Sequence, residues 1–234
     1  MKTILPISIA LAAAAHANLV ADAAADFSLS SNPNGLWSYG YSLTLGSPLI
    51  PHVDVGNIGG LDYWRTNLGS GVPGVGFNPT PFQIVIGATA VLDPGTITLH
   101  PGPGNEYSLM RYSSPSAGQL QIEGSFFGQD NAGTSTDVHI LQNGVSVFDS
   151  VVNGFGPTSA TPFNLTLTLN ANDILDFAVG AGPGGNYFFD STGLSAAVNN
   201  IPEPGSASLL LLGSLALAGF RRQRHGTCQP MATH

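Results

Sequence analysis

The stretch Phe163-Asn164-Leu165-Thr166-Leu167-Thr168-Leu169 decides the fold. Its large apolar residues take alternate positions and short polar residues fill the gaps, a strict period of two. Alternate side chains of a strand point to opposite faces, so the run predicts a strand with one buried and one wet face. The pattern spreads in both directions. Upstream, Leu120, Ile122 and Phe126 alternate with polar or small residues. Val138 and Ile140 lead into Asn143-Gly144, and Val145 and Val147 follow. Asn and Gly both tolerate the positive φ of a type I′ turn, so this segment predicts a hairpin. Downstream, Ile174–Val179 and Leu194–Val198 read as further strands. Residues 26–95 are less regular, with Gly- and Pro-rich loops and candidate strands at Trp37–Thr44 and Phe82–Val91. The chain has no internal repeat and no convincing amphipathic helix. The predicted fold is all-β, an antiparallel β-sandwich over residues 26–199, with no linker-like boundary before Asn199.

Composition agrees. Gly (30) and Pro (17) make up about a fifth of the 234 residues, and 43% of the chain is hydrophobic, so turns and a core are both available. Charge is sparse and one-sided. From Asp26 to Asn200 the basic residues are Arg65 and Arg111, against twelve carboxylates, a net charge of −10. Such a surface repels phosphate backbones, which excludes nucleic acid as a partner. The one cysteine, Cys228, lies far outside the body, so the sandwich must hold without disulfides.

The two ends carry addressing signals. Lys2 precedes an apolar run from Ile4 to Ala15, the pattern of a secretory signal peptide over residues 1–25. Small residues at −3 and −1 allow cleavage after Ala17 or after Ala25. The other end reads Ile201-Pro202-Glu203-Pro204-Gly205-Ser206, then an apolar stretch from Ala207 to Phe220, then Arg221-Arg222-Gln223-Arg224. As a helix that stretch spans ~21 Å, short of the ~30 Å hydrocarbon core, so it is a marginal transmembrane helix. Arg221, Arg222 and Arg224 would act as a stop-transfer cluster and keep residues 225–234 cytoplasmic.

Pro-Glu-Pro, a short apolar helix and a terminal Arg cluster together resemble the PEP-CTERM sorting signal of exopolysaccharide-producing bacteria. Similar tails also go by the description ice-binding-protein C-terminal domain. The resemblance covers residues 200–224, with Ile201 in place of the usual valine and a longer tail after the arginines. It implies recognition at Pro202, Glu203 and Pro204 by an exosortase, a transient inner-membrane anchor and a final location at the cell surface or outside the cell. Residues 96–198 resemble a jelly-roll-like module of secreted planctomycete and proteobacterial proteins. The matching residues are Leu99-His100-Pro101-Gly102-Pro103, Arg111, Asp137-Val138, Asn143-Gly144, Asp173 to Gly180, and Asp190-Ser191-Thr192-Gly193-Leu194. Such modules are carbohydrate-binding-like in shape, which by itself does not establish sugar binding.

Catalytic motifs are absent. The chain has no Gly-x-Ser-x-Gly elbow and no His-Glu-x-x-His helix, and its body has neither lysine nor cysteine. Gly180-Ala181-Gly182-Pro183-Gly184-Gly185 matches Gly-x-Gly-x-x-Gly, but a β-type segment follows where a dinucleotide site needs a helix. No cofactor is expected except a structural Ca²⁺, whose candidate ligands are Asp130, Asp137 and Asp190 in glycine- and serine-rich loops. The competing reading of Asp190-Ser191-Thr192 is a side-chain-capped turn. Trp37 and Trp64 are candidates for stacking on sugar rings, against the alternative that they belong to the core. The sequence thus predicts a non-enzymatic, exported structural protein associated with exopolysaccharide. An extracellular carbohydrate-binding module is the alternative, and a carboxylate-based glycosidase ranks behind it.

Overall fold

The computed structural model describes residues 18–66 and 72–201, and their regular structure is all β. Strands are numbered in chain order. The first sheet runs β14 (Gly156–Leu169), β11 (Gly118–Gly128), β16 (Thr192–Asn200), β9 (Ile97–His100), β6 (Gly74–Phe77), β5 (Leu61–Arg65), β4 (Asp54–Ile58), and β1 (Asn18–Asp22) also pairs with β16. The second runs β13 (Val145–Gly154), β12 (Thr134–Gln142), β15 (Ile174–Val179), β10 (Tyr107–Ser113), β2 (Trp37–Ser42), β3 (Ile50–Pro51). A separate hairpin joins β7 (Ile84–Ile86) to β8 (Ala90–Leu92). All named pairings are antiparallel.

Alternation decides which side chains meet. In β14, Phe163 and Leu169 are buried while Asn164, Thr166 and Thr168 are exposed. One core takes Ile122, Phe126, Phe163, Leu194 and Val198 from the first sheet and Trp37, Tyr39, Tyr112, Ile140 and Phe177 from the second. The antiparallel β-sandwich read from the sequence is therefore the fold. Asn143 (φ 53°) and Gly144 (φ 82°) turn β12 into β13 as the hairpin signal requires.

Two readings change. Phe82–Val91 is not one strand: Gly87 (φ 59°) and Ala88 (φ 73°) break it into the β7–β8 hairpin. The sandwich also begins ahead of Asp26. β1 pairs Asn18 with Asn200 and Asp22 with Ala197, and Ala21 and Ala23 are buried in the core. The segment up to Ala17 read as a leader, the motif Pro202-Glu203-Pro204, the apolar segment 207–220 and the arginines lie outside the described residues. Among the described residues no helix is long and apolar enough to cross a membrane.

Polar groups inside the sandwich are mostly matched. Arg111 and Asp176 face each other in the β10–β15 ladder, and the guanidinium donates to both carboxylate oxygens at 2.6 and 2.9 Å. His52 is among the exceptions. It is 2% exposed, stacks on Tyr41 at 5.8 Å, and neither ring nitrogen has a partner. Burial pushes its pKa down to about 4. An unfolded histidine takes its proton near pH 6.5, so stability should fall as pH drops from about 6.5 to 4, by about 3 kcal/mol in all.

Asp190 works in the opposite sense. Its pKa is pushed up to about 7, chiefly by burial, so the folded form keeps a proton that the unfolded form releases near 3.8. That contribution is present at low pH and lost as pH rises through about 7. The two slopes oppose each other in the parent protein. The expected result is therefore a difference: the stability of His52→Phe relative to the parent should rise by about 2–3 kcal/mol between pH 7.5 and pH 4.5. Denaturant melts at both pH values measure it, and a pH-independent difference would contradict the account.

Candidate functional site

Neither tryptophan offers a face to a ligand. Trp37 is 0% and Trp64 5% exposed. Trp37 packs edge-on against Tyr112 at 5.7 Å and Trp64 stacks on Tyr39 at 5.9 Å. Their indole N–H groups donate to Asp26 Oδ2 at 3.3 Å and the Ser28 carbonyl at 2.8 Å, which makes burial tolerable. Both are core residues, because each sits at an inward position of its strand, β2 or β5.

The three aspartates read as calcium ligands do not gather. Among the described residues no group of three or more His, Cys, Asp or Glu could hold a metal ion, whereas Ca²⁺ takes 6–8 oxygens. Asp130 caps its own loop, accepting from the Ala132 amide at 3.1 Å and the Thr89 hydroxyl at 3.3 Å. Asp190 accepts from the Ser135 amide at 3.1 Å, and its Oδ2 is buried without a partner. Asp137 accepts from the Gly182 amide at 2.8 Å, the Tyr107 hydroxyl at 2.8 Å and His139 Nε2 at 2.9 Å. Burial alone would raise Asp137, but hydrogen bonds from His139, Tyr107 and Gly182 outweigh it and hold its pKa below the usual range.

His139 is clamped. Its Nδ1 donates to Asp149, directly opposite in the β12–β13 ladder, and its Nε2 to Asp137. Burial would lower its pKa, but the hydrogen bonds and charges of the two carboxylates raise it; each nitrogen faces a carboxylate oxygen, which can only accept, so both carry protons. An imidazolium with both N–H groups engaged is no general base. The network instead pins the 180–190 loop to the sheet through Asp137 and Gly182.

A different site comes from strand parity on the first sheet. Trp64 points inward, so Leu61, Tyr63 and Arg65 point outward. Val75 points inward, which puts Gly74 and Gly76 on the outer face. Ile97 and Leu99 are core, so Thr98 and His100 face outward. Register aligns these positions into two rows: Tyr63–Gly76–Thr98 and Arg65–Gly74–His100. In each row a glycine separates larger side chains carried by strands about 9–10 Å apart. The missing side chains leave a slot. A Cβ on Gly76 would come within 3.0 Å of both Leu61 and Thr98. Ile86, Ala90 and Leu92 of the β7–β8 hairpin and Ser191 complete the lining of the slot. The cavity measures about 180 Å³, below the ~300–1,000 Å³ of drug-sized sites and suited to one small ring.

Its polar groups are few and aimed. His100 Nδ1 lies 2.9 Å from the Pro101 carbonyl, which can only accept, so Nδ1 carries the proton. Burial lowers the pKa of His100, so the ring is neutral and Nε2 is an acceptor. Thr98 and Ser191 add hydroxyls. Arg65 lies over the Tyr63 ring at 5.5 Å, and its buried Nε has no partner. His100 also meets Tyr187 edge-on at 6.2 Å, and Tyr187 stacks on exposed Phe188 at 4.5 Å. The slot therefore borders an aromatic loop tip. Neither Tyr63 nor His100 stands in a sequence motif that marks a binding site. The signal that was available is Gly74-Val75-Gly76, glycine on alternate positions around a core valine.

No family model matches the chain, and no curated protein matches it. Several solved structures are similar to it. CBM51 from Clostridium perfringens GH95, in complex with methyl-galactose, is 14% identical over 64% of this chain and 95% of that one, with a TM-score of 0.33. A family 35 carbohydrate binding module from Clostridium thermocellum is 14% identical over 41% and 69%, with a TM-score of 0.27. CBM35 from Paenibacillus barcinonensis is 10% identical over 46% and 79%, with a TM-score of 0.29. Similarity at this level carries no argument about what the present chain binds.

Proposed function

We propose that the sandwich is a non-catalytic, extracellular carbohydrate-binding module and that the glycine-floored slot is its sugar site. The observation that supports this most is the pair of rows Tyr63–Gly76–Thr98 and Arg65–Gly74–His100. They set an aromatic ring, a neutral acceptor and hydroxyls about the 180 Å³ cavity. Sugars present both C–H faces and hydroxyls, and need such mixed linings. The leader and the Pro202-Glu203-Pro204 tail read from the sequence support action outside the cell. In this reading the partners are an extracellular polysaccharide and, during export, an exosortase and the inner membrane.

A glycan array probed with Asn18–Asn200 tests the reading. Binding to a defined set of neutral glycans is expected. Tyr63→Ala should weaken it about tenfold or more, equivalent to about 1.4 kcal/mol, while a cooperative melt persists. Full retention by Tyr63→Ala would remove the slot as the site. A blank array would favour a purely structural role in the matrix.

A further inference from the structure

We infer that the slot selects a sugar bearing a methyl group, either the C6 methyl of a 6-deoxyhexose or the acetyl methyl of an N-acetylhexosamine; this rests on the sugar-binding reading of the same site. The cavity is two-sided. The polar lining residues Thr98 and His100 stand on β9, with Ser191 just ahead of β16, while the apolar Leu61 stands on β5 across β6 and Ile86 and Leu92 come from the β7–β8 hairpin. The apolar side is also a packed cluster in its own right. Leu61, Ile84 and Leu92 are buried together, with Tyr63 and Ile86 against them. The side chains of Leu61, Ile86 and Leu92 offer no hydrogen-bond partner to a ligand.

An ordinary hexose carries an oxygen on every ring carbon or its substituent. Seated with some hydroxyls on Thr98, His100 Nε2 and Ser191, it must drive another oxygen against Ile86 and Leu92. There that hydroxyl gives up water and gains nothing, which is unfavourable. A methyl at that end reverses the sign, because it leaves water for an apolar lining. The polar lining keeps the ligand a sugar rather than a plain hydrocarbon. Its acceptor is fixed, since the Pro101 carbonyl holds the His100 proton on Nδ1.

Calorimetric titration of the full 234-residue chain tests this with matched pairs: L-fucose against L-galactose, and N-acetylglucosamine against glucose. At least one methyl-bearing member should bind about tenfold or more tightly than its partner, the scale on which apolar pockets sort small groups. The pair that shows the preference identifies the source of the methyl. Ile86→Thr keeps the branched shape but lines the slot with a hydroxyl. It should shrink the preference to about twofold or less, because the methyl loses its apolar contact and the plain sugar's hydroxyl gains a partner. Equal affinities within both pairs would overturn the inference and leave the sugar-binding reading standing. Failure of all four sugars, with a blank glycan array, would overturn both. A preference that survives Ile86→Thr would place the methyl elsewhere and also overturn the inference.

Discussion

Trp37→Ala should lower the unfolding free energy of the sandwich by about 3–5 kcal/mol. The ring is fully buried between the sheets, edge-on to Tyr112 at 5.7 Å and tilted against Phe177 at 6.0 Å. Truncation leaves a cavity that neighbouring aromatic rings cannot fill without leaving their rotamers. It also leaves Asp26 Oδ2 without its indole donor. Trp64→Ala should cost a comparable amount, because Trp64 is 5% exposed, stacks on Tyr39 and donates to the Ser28 carbonyl. Urea melts of Asn18–Asn200 measure both. A loss below about 1 kcal/mol at either position would contradict core packing and restore that ring as a surface platform.

Removal of residues 18–25 should destabilise the body by about 3 kcal/mol or more. The segment supplies the β1–β16 ladder and the contact from the Ala23 amide to the Ala196 carbonyl at 2.9 Å. Asp22 then closes the turn by accepting from the Ala24 and Ala25 amides at 2.9 and 2.8 Å. Several hydrogen bonds, each worth about 0.5–1.5 kcal/mol net, would go together with the burial of Ala21 and Ala23. Asp26–Asn200 should therefore melt earlier than Asn18–Asn200, and overlapping curves would contradict a structural role for β1. The result bears on export as well. Of the two cleavage positions in the sequence, the one after Ala17 leaves β1 whole and the one after Ala25 removes it. Under the proposed export, N-terminal sequencing of the mature protein is expected to begin at Asn18.

The sandwich was legible wherever side-chain chemistry alternates strongly. Phe163 to Leu169 announces its strand, and Asn143-Gly144 announces its turn through the φ values those residues tolerate. The N-terminal third hid its strands because glycine has no side chain to show parity. Gly74-Val75-Gly76 reads as a loop until Trp64 and Leu99, on the neighbouring strands, fix which face is inward. Register between β5, β6 and β9 then brings together Tyr63, Thr98 and His100, which are separated by up to 37 positions and have no common motif. The tryptophans were ambiguous for another reason: an aromatic residue serves a core and a binding face equally well until its neighbours are known. The aspartates divided: Asp130 caps the nearby Ala132 amide, whereas Asp137 and Asp190 accept from Gly182 and Ser135, 45 and 55 positions away, so neither pairing shows in a local motif.

Amide chemical-shift mapping of ¹⁵N-labelled Asn18–Asn200 with a soluble form of the strongest array glycan tests the central claim most directly. Saturable shifts are expected at Tyr63, Gly74, Gly76, Thr98, His100 and Ser191. Residues of β12 and β13, on the other sheet, should stay still. Shifts confined to β12 and β13, or no shifts at saturating glycan, would contradict it.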